Sequence, residues 1–225
     1  MRKHPQRKQV TQLNKTFYQR HREKLQKLNG LFMTNPVVER GFILAPVVAA
    51  AYSCKNAVSL GIGFMIITFL TVMLSSFISK RIPYTIRTIL YALIGCVVFV
   101  PTAMLIDWMF EDALYTTGIF LPLLVANSLI VVKSESRFHK HNKGYMAVDV
   151  FSHTVGFFIV IVLVGLIREF FGSGTLFGVS VNQLVVAPAL LMPFYGFILV
   201  GLLAALGNII RKRIEHPRSK EEGLQ

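Results

Sequence analysis

Residues 118–128 read GIFLPLLVANS, an apolar run that a proline interrupts and that ends on two polar side chains, Asn127 and Ser128. The run is shorter than the roughly 20 helical residues that cross a bilayer. A second short run lies upstream at residues 41–49, GFILAPVVA, with its proline at position 46. Two short, proline-containing segments in corresponding positions indicate broken helices, whose free backbone groups must face protein or a cavity.

The composition is that of an integral membrane protein. Of the 225 residues, 53% are hydrophobic and 16% are charged, an apolar share larger than a soluble core of this size requires. The first 30 residues are polar and basic and lack the apolar stretch of a cleaved export signal. We therefore expect the amino terminus to stay in the cytoplasm.

Six apolar segments define the expected architecture: residues 41–54, 57–79, 89–106, 118–132, 148–167 and 185–210. The second, third, fifth and sixth reach or approach the length of a full crossing, whereas the first and fourth do not. Three crossings in each half make the second half start on the opposite face of the membrane, which is typical of inverted repeats. The sequence therefore predicts an all-α, polytopic membrane protein. Its six transmembrane helices form two inverted three-helix repeats, each with a short, broken first helix.

Positive charge sets the predicted orientation. If all six segments cross, all but two of the 24 Lys and Arg residues lie on the cytoplasmic side, and the outer loops hold only Lys55 and Arg168. This asymmetry predicts that both termini are cytoplasmic. Arg168 is expected either to pair with Glu169 or to cap backbone carbonyls. The net charge of +13 does not indicate a nucleic-acid partner, because the basic residues border apolar spans instead of forming one basic face.

The chain divides into three predicted regions. Residues 1–34 are basic and are expected to form a cytoplasmic amphipathic arm on anionic membrane lipids, with a solvated tail as the alternative for the first ten residues. Residues 35–212 form the six-helix membrane domain. Residues 213–225 form a cytoplasmic tail.

Several stretches carry a family resemblance. They are Asn35-Pro36-Val37, Ala45-Pro46, residues 118–128, Glu135, Asp149 and the run REFFGSGTLFG at residues 168–178. Over about residues 35–212 the chain resembles the small membrane subunits of the Rnf and sodium-pumping Nqr complexes. It is nearest to the RnfE and NqrD type and is related to RnfA and NqrE.

The resemblance implies a subunit in a bacterial or archaeal cell membrane. The implied complex passes electrons between ferredoxin or NADH and another carrier while it moves Na⁺ or H⁺. The implied partners are a sister six-helix subunit of opposite topology and the other subunits of such a complex. A catalytic site within this chain is not expected, and a stand-alone small transporter built on the same inverted-repeat core is the alternative function.

The family also implies an iron–sulfur cluster that cysteines of both broken-helix regions share with the sister subunit. Here the two cysteine positions correspond to Ala45 and Ser128, with Asn127 beside the second. Alanine offers no ligand atom, and a serine oxygen is a hard, poor replacement for a thiolate. The two cysteines of this chain are expected elsewhere, Cys54 at the outer end of the first segment and Cys96 as a small buried residue in the third. The substitutions favour a scaffold or ion-path role over cluster binding.

Three ionisable residues near the fourth and fifth segments form a candidate ion path. Asp149 and His153 are four residues apart and are expected on one helix face, where they either relay protons, bind a cation, or orient the helix at the membrane boundary. Glu135 follows the fourth segment and is expected either at the cytoplasmic mouth of the path or as a solvated charge.

Overall fold

The computed structural model describes residues 45–79, 81–136, 143–181 and 187–215. Its helices are α1 (Cys54–Ser75), α2 (Tyr84–Met109), α3 (Ala113–Thr117), α4 (Phe120–Leu123), α5 (Ser128–Ser136), α6 (Lys143–Gly172) and α7 (Pro193–Glu215). Shorter turns are π-helical at Pro46–Ala50 and 3-10 helical at Leu124–Ala126 and Pro188–Leu191. The predicted basic arm, and the predicted tail beyond residue 215, lie outside the described residues.

One small hairpin departs from the all-α prediction. Strands β1 (Thr175–Leu176) and β2 (Val179–Ser180) pair antiparallel directly after α6. Gly178 lies in the turn between them with a φ of +80°, a conformation that glycine adopts at no steric cost. The glycine-rich run after Glu169 is therefore a tight connection that ends α6.

Three helices are long and apolar enough to cross a membrane, namely α1, α2 and residues Met146–Gly172 of α6. The sixth segment was predicted from residue 185, but its helix α7 begins at Pro193, a residue type that is favoured in the first turn of a helix. The apolar part of α7, Pro193–Ile209, is shorter than the other three. The described part of the chain is thus a mostly helical membrane protein, and the number of crossings stays a prediction.

Helix α1 lies at the centre and packs against both α2 and α6. Glycine permits the close approach of α1 and α6: a Cβ at Gly165 would lie 2.5 Å from the Cβ of Ala57. Further along, the rings of Phe64 and Phe157 have centroids 3.9 Å apart. Because residue numbers rise along one helix as they fall along the other, α1 and α6 are antiparallel. Small residues at such a contact are typical of helices packed in lipid.

The fourth segment is broken twice, and neither break falls at Pro122. Gly118 separates α3 from α4 with φ +52° and ψ −131°, a region that residues with a Cβ avoid. Asn127 is extended and separates the Leu124–Ala126 turn from α5. Pro122 lies inside the single turn of α4, where its missing N–H leaves no intrahelical bond unmade. The predicted broken helix is present, with its breaks at a glycine and an asparagine.

The first segment ends in the Pro46–Ala50 turn, whose Val47, Val48 and Ala50 are buried. This turn packs against α4 and α7. The two short segments of the sequence therefore meet, and the site described next is built around them.

Candidate functional site

Asn127 joins the two sides of the second break. Its Oδ1 accepts a hydrogen bond from the backbone N–H of Ile130 at 3.0 Å, the geometry of an N-cap for α5. Its Nδ2 donates to the carbonyl of Leu124 at 2.6 Å and to the hydroxyl of Thr68 on α1 at 3.2 Å. One amide thus caps α5, closes the preceding turn and fixes the break to α1.

Ala45 and Ser128 are both exposed at the surface of the chain. Ala45 directly precedes the buried Pro46, and Ser128 directly follows the buried Asn127. Ser128 is the first residue of α5, immediately after the capping Asn127. Neither position offers a thiolate. In the described residues we find no group of three or more His, Cys, Asp or Glu side chains placed to hold a metal ion. The side chains at these two positions do not fit an iron–sulfur cluster.

The two cysteines of the chain lie at positions 54 and 96. Cys54 is buried at the first position of α1. Thr68, which contacts Asn127, lies about 21 Å further along α1 at about 1.5 Å per residue. Cys96 was expected to be buried, but it is exposed on α2, because its neighbour Gly95 occupies the face that packs against Val125. The two sulfurs therefore lie on different helices, one buried and one exposed.

Asp149 and His153 share a helix face, as their spacing predicts. The Nδ1 atom of His153 lies 2.7 Å from the backbone carbonyl of Asp149 and 3.6 Å from its carboxylate. Lys133 of α5 contacts both side chains, and the sequence did not predict this contact. Its Nζ lies 2.9 Å from Asp149 Oδ2 and 3.2 Å from both ring nitrogens of His153. A lysine that directly follows the apolar run Leu129–Val132 was the signal for such a contact.

Glu135 is held by two residues of α2. Arg87 donates to its Oε2 at 2.8 Å, and the hydroxyl of Tyr91 donates to its Oε1 at 2.8 Å. The side chains of Arg87 and Glu135 are 10% and 22% exposed, so the pair is largely withdrawn from solvent. Glu135 is therefore not a freely solvated charge. It lies on α5 two residues from Lys133, so α5 links the two charged groups.

Arg168 was expected in an outer loop, but it is fully buried inside α6. Within the described ranges its guanidinium donates hydrogen bonds to backbone carbonyls alone. Their distances are 2.6 to 3.4 Å, and the carbonyls belong to Val48, Ala51, Leu190, Leu191 and Met192. They lie at the ends of the Pro46–Ala50 and Pro188–Leu191 turns, where carbonyls lack helical partners. Arg168 caps both turns, which is one of the two alternatives that the sequence left open.

Glu169 is also buried, and it caps a helix N-terminus, whereas Arg168 caps carbonyls at the ends of turns. Its Oε2 accepts from the backbone N–H of Cys54 at 2.5 Å, at the start of α1. Its Oε1 accepts from the backbone N–H of Gly178 at 3.0 Å and from the hydroxyl of Thr175 at 3.2 Å. A carboxylate at a helix N-terminus is favoured by the exposed N–H groups and the helix dipole. Adjacent residues of α6 thus fix both the first broken segment and the start of α1.

Comparison with known proteins identifies similar chains. A family model described as "Rnf-Nqr subunit, membrane protein" matches residues 25–204. A Shewanella oneidensis protein, named as the E subunit of an ion-translocating oxidoreductase complex, is 31% identical over 212 residues, covering 87% of this chain and 90% of that protein. Proteins of the same name from Shewanella sp. strain MR-4 and Shewanella putrefaciens are each 30% identical, covering 87% and 83% of this chain and 90% and 87% of their own lengths. The family match begins within the predicted basic arm and ends within α7.

Proposed function

Because the chain belongs to the Rnf-Nqr family of membrane subunits, we propose that it is a membrane subunit of a complex that couples electron transfer to the translocation of Na⁺ or H⁺. The observation that carries the proposal is the similarity, over 87% of the chain, to a protein named as part of an ion-translocating oxidoreductase complex. In this complex the chain acts as scaffold and ion path, without a catalytic site of its own.

The proposal includes six crossings arranged as two inverted repeats, with both termini in the cytoplasm. Two packing relationships support it. The helices that would be second in each repeat, α1 and α6, meet antiparallel at the centre. The broken segments that would be first in each repeat meet through the Pro46–Ala50 turn and α4. In proteins with inverted repeats, such a meeting of broken helices is where the transported ion binds.

We place the ion path at Glu135, Asp149 and His153. Their support is electrostatic: each carboxylate already holds a cationic side chain, Arg87 at Glu135 and Lys133 at Asp149. Charged groups at membrane depth are retained at a free-energy cost and commonly mark ion routes. A cation that reaches Asp149 competes with the Lys133 ammonium, so Lys133 keeps the path closed until a cation displaces it.

The surface that carries Ala45 and Ser128 is proposed to face a sister subunit of opposite topology. Both side chains are exposed, and so are Ile119 and Leu123 of the second broken segment. This chain keeps the broken-helix scaffold of the family, while its own side chains at these positions supply no thiolate. Iron bound at this surface would be held by the thiolates of the sister subunit.

The test is to tag the chain in its native cells, solubilise the membranes mildly and identify the proteins that co-purify. The proposal predicts a homologous sister membrane subunit together with flavoprotein partners. A similarly tagged, unrelated membrane protein from the same cells is the control for non-specific capture. Recovery of the chain without either partner would contradict the proposal, and solute transport by the purified chain alone in liposomes would favour a stand-alone transporter.

A further inference from the structure

A row of buried polar side chains runs along one face of α1. Thr68, Thr71 and Ser75 are all 0% exposed. Their spacing of three and four residues places them on one side of the helix over about 10 Å. Their neighbours Ile67 and Val72 are buried apolar residues of the core. Polar groups in such surroundings cost free energy unless each has a partner.

The second broken segment supplies a matching row. Asn127 meets Thr68, with Nδ2 and Oγ1 at 3.2 Å, and Ser134 meets Ser75, with the two hydroxyl oxygens at 2.8 Å. The two contacts are seven residues apart on both elements, so α1 and the Asn127–Ser134 stretch run parallel and in register. We call Thr68, Thr71, Ser75, Asn127 and Ser134 the polar row.

Thr71, in the middle of the row, is the exception to this pairing. Its hydroxyl is buried, and it has no hydrogen-bond partner in the part of the chain that the structure describes. Beside it lies Gly95 of α2: a Cβ at Gly95 would be 3.7 Å from Thr71 Oγ1 and 3.5 Å from the carbonyl oxygen of Val125. The Val125 Cγ1 atom lies 2.8 Å from the position of this Cβ, so the Val125 side chain fills the space beside Gly95 in this state. Buried hydroxyls without a partner are few in folded proteins, and a water or an ion that reaches this position would supply the partner that Thr71 lacks.

One end of the row meets the charged groups described above. Ser134 lies between Lys133, which binds Asp149, and Glu135, which binds Arg87. The other end is the helix break at Asn127. The row therefore connects the break with the proposed ion path at Glu135 and Asp149.

We propose that the polar row is the inner part of the ion path and binds a small monovalent cation, Na⁺ or hydronium, through neutral oxygens. This inference rests on the proposed function. Hydroxyl oxygens replace part of the hydration shell of a cation, and without a carboxylate in the row they do not trap it. The paired hydroxyls and the Val125 side chain close the row in the state described here.

The experiment uses the complex in inverted membrane vesicles from cells that carry single substitutions in this chain. Electron-driven uptake is followed with ²²Na⁺ and, separately, with a pH indicator, which distinguishes the two cations. Thr71→Val keeps the shape of the side chain and removes only the hydroxyl. Thr102→Val is the matched control, because Thr102 is also buried but its hydroxyl bonds the Val98 carbonyl of its own helix.

We expect Thr71→Val to lower uptake of the transported cation by about fivefold, the factor for one lost contact of hydrogen-bond strength between the hydroxyl and the passing cation, while Thr102→Val stays near the wild type. Thr71→Ser restores the hydroxyl and should restore uptake. Uptake by Thr71→Val at the level of Thr102→Val would overturn the proposal, as would a Thr71→Ser complex as slow as Thr71→Val. If Thr71→Val does not assemble, Ser75→Ala is measured by the same criterion. A wild-type complex that moves no cation would instead contradict the proposed function itself.

Discussion

Asn127 donates a hydrogen bond to Thr68 across 3.2 Å and so joins the break in the fourth segment to the middle of α1. The same side chain caps α5 through the N–H of Ile130. Both bonds are buried, so water does not replace them when the side chain is removed.

Asn127→Ala is expected to lower the free energy of unfolding by about 1–3 kcal/mol, because it removes the cap and leaves the Thr68 hydroxyl with one partner fewer. Thermal unfolding of the purified chain in detergent measures the effect. Asn208→Ala, on the exposed side of α7, is the control and should unfold like the wild type. Equal stability of the two variants would show that the break does not depend on the Asn127 cap.

Arg168→Met is expected to lower the free energy of unfolding by at least about 3 kcal/mol, because it leaves five carbonyls without their charged donor, two of them in the buried residues Val48 and Ala51. Arg168→Lys should lose less, since an ammonium bonds some of these carbonyls but lacks the fork of a guanidinium. Unfolding in detergent and the amount of chain in membranes both report the loss. The control is Arg81→Met at an exposed position, and a loss no greater than in this control would contradict the capping role.

Arg87 and Glu135 are expected to be energetically coupled by about 1–3 kcal/mol, because both side chains are largely buried and bond at 2.8 Å. A double-mutant cycle with Arg87→Met and Glu135→Gln isolates this term from their other contacts. The same cycle between Arg87 and Asp149, which binds Lys133 on α5, serves for comparison and should give a smaller value. Additive losses for Arg87 and Glu135 would show that the ion pair contributes nothing to stability.

Gly118→Ala is expected to cost about 1–3 kcal/mol, because the φ of +52° is unfavourable for a residue with a Cβ. A Cβ there would meet no atom within 4 Å, so the cost arises from the backbone alone. Gly201→Ala also meets open space but lies inside α7, and there alanine should stabilise by roughly 0.5–1 kcal/mol. Differential scanning fluorimetry separates the two variants, and a Gly118→Ala variant as stable as Gly201→Ala would rule out strain at this break.

Local sequence pattern was sufficient to predict part of the structure. The spacing of Asp149 and His153 predicted their shared face, and the short, interrupted run at residues 118–128 predicted a broken helix. The break itself was attributed to the proline, whereas the structure places it at Gly118 and Asn127. Proline is compatible with the first turn of a helix, so its presence alone does not locate a break.

Contacts between residues far apart in the chain could not be predicted from the sequence. Lys133 contacts Asp149 across a chain separation of 16 residues. The carbonyls that bind Arg168 lack helical hydrogen-bond partners because two turns, distant from it in sequence, end beside it. The exposure of Cys96 was missed for a different reason. A membrane helix is apolar on its lipid-facing and its packed side alike, so hydropathy does not indicate which face is buried.

Electron-driven cation uptake in membrane vesicles tests most directly whether this chain is part of an ion-translocating complex. Vesicles from cells that lack the chain should show no such uptake, and the wild-type chain should restore it. Asp149→Asn should restore little, whereas the exposed Asp107→Asn should restore it fully. Undiminished uptake in cells without the chain would contradict the account.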